Sequence, residues 1–297
     1  MKSGFVSVVG RPNVGKSTLV NALVGQKVSI TSSRPQTTRN VIRGAVTGYD
    51  DGEPSYQIVL VDTPGLHKPR TELGNRLNTL VYGSLADADA AIFLIDATQP
   101  IGPGDKLIAE RLKASGVSVV VVVNKVDKAK DDHVVEQLVK ASDWDFDAYV
   151  PISALHATNL EPVLEELVAR LPDGPLYFPD EIKSDQPEEI LIAEIIREKF
   201  LERLRDELPH SLVVVADDIE ASDDLITIHA RVIVERPSQK GIVIGKGGTL
   251  LRDAGTEARL ELERLLGGKV HLDLRVSVER DLQQSPHLLE RIGFGSP

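Results

Sequence analysis

From Phe5 to about Leu171, short apolar runs alternate with amphipathic stretches of helical length. The runs Phe5–Val9, Gln57–Val61, Ala90–Ile95, Ser118–Val123 and Asp147–Ile152 are rich in β-branched residues and lack regular polar alternation. That is the pattern of parallel strands buried on both faces. Lys16–Val24, Glu72–Leu85, Gly104–Ser115, Val134–Ala141 and Leu160–Leu171 fall around them with helical spacing. Strand and helix in turn predict an α/β domain with a mostly parallel, doubly wound sheet. One further strand, near Val41–Tyr49, comes before Gln57–Val61 with Asp50-Asp51-Gly52 between them. The pair reads as an antiparallel hairpin at one edge of the sheet.

The texture changes between Pro172 and Pro187, where Pro172-Asp173-Gly174-Pro175 is followed by Pro179 and Pro187. Prolines at that density disfavour helix and strand interiors, so the segment reads as a semi-rigid linker. Beyond it come a long helix (Glu188–Leu208), two strands (Ser211–Ile219 and Leu225–Val234) and a short helix (Pro237–Val243). A glycine-rich loop then leads into a helix that Gly267-Gly268 stops after Leu266, and a strand follows (Lys269–Val278). Helices segregated from adjacent strands predict a smaller α+β domain. Leu250, Leu251, Ala254, Ala258, Leu262 and Leu265 recur at helical spacing in the longer of its last two helices, a core-facing stripe.

Composition narrows the class. With 41% hydrophobic and 27% charged residues, a chain of 297 residues can bury a core, which excludes wholesale disorder. Aromatics are only 4%, so the cores must be aliphatic. The absence of cysteine excludes disulfides, thiolate metal sites and cysteine nucleophiles, and fits a reducing cytoplasm. The chain enters its first strand without a signal-peptide pattern, and its longest apolar run, Val117–Val123, is too short to span a bilayer. A net charge of −11 argues against a nonspecific nucleic-acid coat while leaving room for a local basic site.

The chemistry sits at strand ends. Gly10-Arg11-Pro12-Asn13-Val14-Gly15-Lys16-Ser17 follows a predicted strand and opens a predicted helix, continuing with Thr18, and is a phosphate loop in its proper context. Its backbone N–H groups and helix N-terminus favour phosphate, Lys16 reaches the β- and γ-phosphates, and the Ser17 hydroxyl can ligate Mg²⁺. Asp62-Thr63-Pro64-Gly65 ends another strand, where the carboxylate can hold Mg²⁺ through water and the Gly65 N–H can sense the γ-phosphate. Asn124-Lys125-Val126-Asp127 selects the base: a carboxylate at Asp127 accepts from guanine N1–H and the 2-amino group, donors that adenine lacks. Ser153-Ala154-Leu155, after the next strand, offers the Ala154 N–H to guanine O6. Gln36-Thr37-Thr38-Arg39, followed by Asn40, lies where a switch loop must donate a threonine to Mg²⁺; Thr38 is favoured and Thr37 is the competing register. Lys16, Thr38, Asp62, Gly65 and Asn13 are the residues expected to act on the reacting phosphates.

In order and spacing, these motifs resemble the translation-factor-like P-loop GTPases and, within them, the Era branch. The octet from Gly10 to Ser17, the Thr37-Thr38-Arg39 run and Asp62-Thr63-Pro64-Gly65-Leu66 carry the likeness, over residues 5–171. It implies hydrolysis of GTP to GDP and phosphate, with Mg²⁺. Leu66 stands where Ras-type enzymes carry the glutamine that orients water. Catalysis then falls to Mg²⁺, Lys16, backbone dipoles and a group supplied by a switch loop, a cation or a partner. Asn13 occupies the position at which related GTPases hold K⁺ against the phosphates; it can equally brace its own loop. Arg39 and His67 read as solvated loop residues.

Gly245-Lys246-Gly247-Gly248, led in by Ile242–Ile244, fits the GXXG loop of nucleic-acid-binding KH modules. Its position within the helix–strand–strand–helix–helix–strand order resembles the type II KH domain that follows the GTPase domain in the Era family, over residues 188–280. The run Arg231–Gly241 strengthens the likeness, and Arg231, Arg236, Lys240, Ile244, Gly245, Lys246, Gly247 and Gly248 are the candidate RNA-binding residues. Residues 201–297 hold 13 basic and 17 acidic side chains, a net of −4, so affinity dominated by phosphate charge should be poor. The expected division is 1–172 for the GTP-binding domain, 173–187 for the linker, 188–280 for the KH domain and 281–297 for a tail. The resemblance implies a cytoplasmic monomer that binds small-subunit ribosomal RNA near its 3′ end and assists assembly of that subunit, with peripheral association at the inner face of the cell membrane and no DNA partner. The rival readings are a GTPase acting on transfer RNA and an RNA-binding module with a decayed nucleotide site. The first loses ground because no cysteine is present, and the second because Lys16, Ser17, Asp62, Asn124 and Asp127 are intact.

Overall fold

The computed structural model describes residues 1–32, 34, 37, 38, 40–65, 79, 81, 83–204, 212–222 and 224–280. The chain forms two compact units, one of Met1–Thr31 with Pro35–Asp185, the other of Ser32–Arg34 with Gln186–Pro297.

In the first unit the strands are β1 (Lys2–Gly10), β2 (Ile42–Asp50), β3 (Glu53–Asp62), β4 (Ala90–Asp96), β5 (Ser118–Asn124) and β6 (Ala148–Pro151). They form one sheet in the order β2-β3-β1-β4-β5-β6, parallel except for β2, which runs antiparallel to β3 at the edge. The β2–β3 turn is tighter than the sequence implies. Asp51 (φ 49°) and Gly52 (φ 84°) both take the left-handed backbone of a two-residue hairpin, and β3 therefore starts at Glu53. Helices α1 (Lys16–Val24), α2 (Pro103–Ser115), α3 (Asp131–Ser142) and α4 (Glu161–Arg170) cover the sheet. Val6, Val8, Leu60, Ile92 and Val120 pack on one face with α1 and α4; Val9, Phe93, Ile95 and Val121 pack on the other with α2 and α3. Most of the helix expected over Glu72–Leu85 lies outside the described residues; residues 83–86 are helical.

The parallel arrangement brings the carboxyl ends of β1, β3, β4 and β5 to one edge, where they terminate in Gly10, Asp62, Asp96 and Asn124. Ligands of open α/β sheets bind outside that edge.

The segment expected as a linker is held along the first unit. Gln57, buried in β3, accepts from the Tyr177 and Phe178 amides (2.8 and 2.9 Å) and donates to the Phe178 carbonyl (2.9 Å). Phe5 and Tyr177 stack edge to face at 4.8 Å, the Ala45 amide donates to the Lys183 carbonyl, and Arg43 pairs with Asp185 at 2.8 Å. Prolines keep this stretch out of helix and strand, and the Tyr177 and Phe178 backbone groups are satisfied by a buried glutamine instead of a ladder.

The second unit contains α5 (Glu188–Arg203), β7 (Val213–Ala221), β8 (Ile226–Val234), α6 (Pro237–Ile244), α7 (Thr249–Leu266) and β9 (Val270–Val278). The sheet order is β7-β8-β9, with β7 antiparallel and β9 parallel to β8. Helix α5 packs on α7 and on β7. Ala254, Ala258 and Leu262 of the expected stripe are fully buried, while Leu250, Leu251 and Leu265 are half-buried. Left-handed Gly267 (φ 70°) ends α7. The ends expected at Leu208 and Ser211, and the tail 281–297, lie outside the described residues. Among the described residues, no helix is long and apolar enough to cross a membrane.

Candidate functional site

The loop between β1 and α1 is shaped by backbone that side chains disfavour. Gly15 has φ 103°, and a Cβ there would lie 2.3 Å from Asn124 Nδ2. Asn13, exposed, is itself left-handed at φ 64°. Pro12 and Val14 flank Asn13, with Val14 buried. Lys16 opens α1 with a buried side chain that folds back on the Gly10 and Arg11 carbonyls (3.3 and 3.1 Å). Burial lowers its pKa to about 8, opposed in part by the Asp62 carboxylate. Thr18 follows on the same helix. The Arg11 side chain reaches across to α2, where Nε donates to buried Asp105 at 2.8 Å, and Asp105 also accepts from the Gly102 amide at 2.9 Å. Arg11 thus enters a phosphate site through its backbone, its guanidinium being paired elsewhere.

Next to Lys16, four oxygen-bearing side chains converge. Ser17 Oγ lies 2.9 Å from Thr38 Oγ1, and Ser29 donates to Asp62 Oδ2 at 2.7 Å. Asp62 is fully buried at the end of β3, and its Oδ1 has no hydrogen-bond partner among the described residues. Burial raises the Asp62 pKa, against the stabilising hydroxyls of Ser17 and Ser29 and the Lys16 charge. Thr63 donates to the Val8 carbonyl at 2.7 Å, tying the following turn to β1. Past Pro64, Gly65 passes so close to the phosphate loop that a Cβ would sit 2.8 Å from Pro12 Cα. Thr37 and Asn40, half-buried, flank the described part of the loop around Thr38. Gln36, Arg39 and Leu66 lie outside the described residues, as does His67.

The end of β5 builds a second cluster. Asn124, 2% exposed, donates from Nδ2 to the Val14 carbonyl (2.8 Å) and accepts at Oδ1 from the Ala154 amide (3.0 Å). That amide was expected to face a guanine oxygen; here it is paired with Asn124, because a buried N–H does not stay unpaired. Lys125 is left-handed (φ 69°) and its ammonium meets the Asn13 carbonyl and Asp96 Oδ2, each at 2.6 Å. Val126 and Asp127 follow in one short turn. The Ser153 hydroxyl donates to Asp127 Oδ1 at 2.6 Å and fixes the carboxylate. Leu155 stands 61% exposed at the rim.

In the second unit, Gly245, Gly247 and Gly248 all have positive φ, so the loop between α6 and α7 is open only to glycine or to strained side chains. Lys246 and Gly247 are exposed at its tip, and Ile244 is half-buried at the end of α6. Arg236 is exposed at the start of that helix and Lys240 half-buried within it. Arg231 differs from the expectation of a basic contact. Its guanidinium is clamped by Asp217 (2.6 and 3.0 Å) and Glu279 (2.9 Å), whose carboxylates neutralise it.

Residues 5–125 match the sequence family described as 50S ribosome-binding GTPase, and residues 207–282 match the KH domain. The GTPase Era proteins of Mycolicibacterium paratuberculosis and Mycobacterium tuberculosis are 53% and 54% identical to this chain, covering 99% and 98% of it and the same shares of their own lengths. The chain belongs to the Era family of GTPases. Two solved Era structures superpose over the full length of both chains, each with a TM-score of 0.91 and 37% identity. One is Era with MgGDPNP and nucleotides 1506–1542 of 16S ribosomal RNA; the other is an Aquifex aeolicus Era variant with GDP·AlF4⁻. This Era-family site includes residues that sequence reasoning missed. Ser29, Asp96 and Asp105 each hold a motif residue, and only Asp96 had a signal, as a carboxylate at a strand's carboxyl end. Asn21 was also missed. It accepts from the Val28 and Ser29 amides and sets Ser29 toward Asp62.

Proposed function

We propose that this GTPase cycles between GTP and GDP at the β1, β3, β4 and β5 edge and reads small-subunit ribosomal RNA, near its 3′ end, through the loop Gly245–Gly248, in the service of small-subunit assembly. The observation that carries the nucleotide half is the convergence of Lys16, Ser17, Thr38 and Asp62, with Asn124 and Lys125 tied to the same phosphate loop. The backbone amides from Gly10 to Ser17 cradle the β-phosphate, and Lys16 neutralises the β- and γ-oxygens. Hydroxyls at Ser17 and Thr38 with an orphaned carboxylate oxygen at Asp62 suit Mg²⁺, a hard cation that prefers oxygen. When bound there it would supply positive charge against the phosphates. The Gly65 amide faces the γ-phosphate, and with leucine at position 66 no side chain there orients water. Asn13, exposed at the loop mouth with its carbonyl fixed by Lys125, is suited to hold K⁺.

The RNA half rests on the glycine-only loop with Lys246 at its tip and on family membership; Arg231 is left out of the contact set because its charge is already paired. For a cytoplasmic, monomeric protein with peripheral membrane contact, family membership is the only support.

Asp127→Asn tests the nucleotide reading. The amide removes the acceptor for guanine and supplies a donor to the 2-oxo group of xanthine. Equilibrium binding should then favour XTP over GTP, with GTP affinity down by at least ~100-fold. Retained preference for GTP would defeat the assignment.

A further inference from the structure

We propose that Asp96 is a positioning residue for the nucleotide site: its carboxylate holds the Lys125 ammonium on the Asn13 carbonyl, locking the base-side loop to the phosphate loop. The inference rests on the reading of Lys125 as a nucleotide-contacting residue. Asp96 is the last residue of β4, nearly buried, and both of its oxygens are engaged. Oδ2 meets Lys125 Nζ at 2.6 Å, while Oδ1 accepts from the Thr98 amide (2.9 Å) and hydroxyl (2.6 Å). Both Thr98 contacts fall on the first oxygen and leave the second to Lys125.

The backbone frame is equally determined. Asp96 pairs with Asn124 across β4 and β5, and the Ala97 amide donates to the Asn124 carbonyl at 2.8 Å, directly before Lys125. Lys125 needs such support because a lysine at φ 69° is strained. Its side chain is about three-quarters buried, and a flexible four-carbon stem would otherwise turn the charge out to solvent. The Asn13 carbonyl it holds belongs to another left-handed residue, within the phosphate loop. One carboxylate therefore steadies two strained positions that contact opposite ends of a nucleotide.

The alternative is that Asp96 only closes the turn to Thr98. Asp96→Asn separates the two, since it keeps an oxygen for Thr98 and sets an amide against Lys125. Stopped-flow release of fluorescent GDP and GTP should quicken about tenfold or more, the scale of one charge-assisted hydrogen bond. Thr98→Val should release nucleotide within about twofold of wild type. In a Lys125→Met background, Asp96→Asn should add less than about twofold, because the group it positions is gone. Unchanged release in Asp96→Asn, an equal effect of Thr98→Val, or an undiminished effect in the Lys125→Met background would each overturn the proposal. If Lys125→Met itself leaves release unchanged, the reading of Lys125 fails instead.

Discussion

Removing the Asn124 side chain should cost both stability and nucleotide retention. Asn124→Ala deletes the 2.8 Å bond to the Val14 carbonyl and the 3.0 Å bond from the Ala154 amide. Val14 is 2% and Ala154 3% exposed, so water cannot readily replace the lost partner. A buried backbone group left unpaired costs about 1–3 kcal/mol, which makes about 2–6 kcal/mol for the two. Chemical denaturation of the nucleotide-free protein should show a loss of that size. The same two bonds tie the phosphate loop and the Ser153–Leu155 loop to β5, so GDP release should quicken by at least ~10-fold. Asn124→Asp sharpens the test. It keeps an acceptor for Ala154 but turns a carboxylate oxygen toward the Val14 carbonyl, and should be no better than alanine despite its matching shape. A loss below about 0.5 kcal/mol in Asn124→Ala, or wild-type behaviour in Asn124→Asp, would refute the view that this side chain is the strut between the two loops.

If Asn13 holds a cation, hydrolysis runs faster in K⁺ than in Na⁺ at matched ionic strength, and Asn13→Ala abolishes the difference while leaving GDP binding largely intact; equal rates in both salts assign Asn13 to bracing its own loop. Replacing Lys246 and Gly247 with aspartates puts two carboxylates at the exposed tip of the Gly245–Gly248 loop and should lower single-stranded RNA affinity by at least ~1–3 kcal/mol in an equilibrium titration. Intrinsic GTP turnover should hold in that variant, and unchanged RNA affinity in the folded protein would reduce the loop to a packing turn.

What the sequence carried by itself is local. The strand–loop–helix order, the edge hairpin and the glycine-rich loop between α6 and α7 were legible because hydrophobic period and glycine chemistry act over a few neighbouring residues. So was the identity of Lys16, Ser17, Asp62, Asn124 and Asp127 as a set, since each stands at a fixed offset from a strand end. The partners of charged and polar side chains were not legible. Arg11 finds Asp105 at a separation of 94 residues, Ser29 finds Asp62 at 33, and Arg231 finds Glu279 at 48. A basic residue reads the same in sequence whether it is solvated or clamped by carboxylates, and only the packing of strands decides which. The proline-rich stretch makes the same point: its composition predicts a stiff segment, but buried Gln57, a polar residue in an apolar run, is what fastens it to the sheet. Side-chain pairing across elements is a property of the assembled interior, where every buried polar group must meet a partner, and no local pattern along the chain encodes which partner that will be.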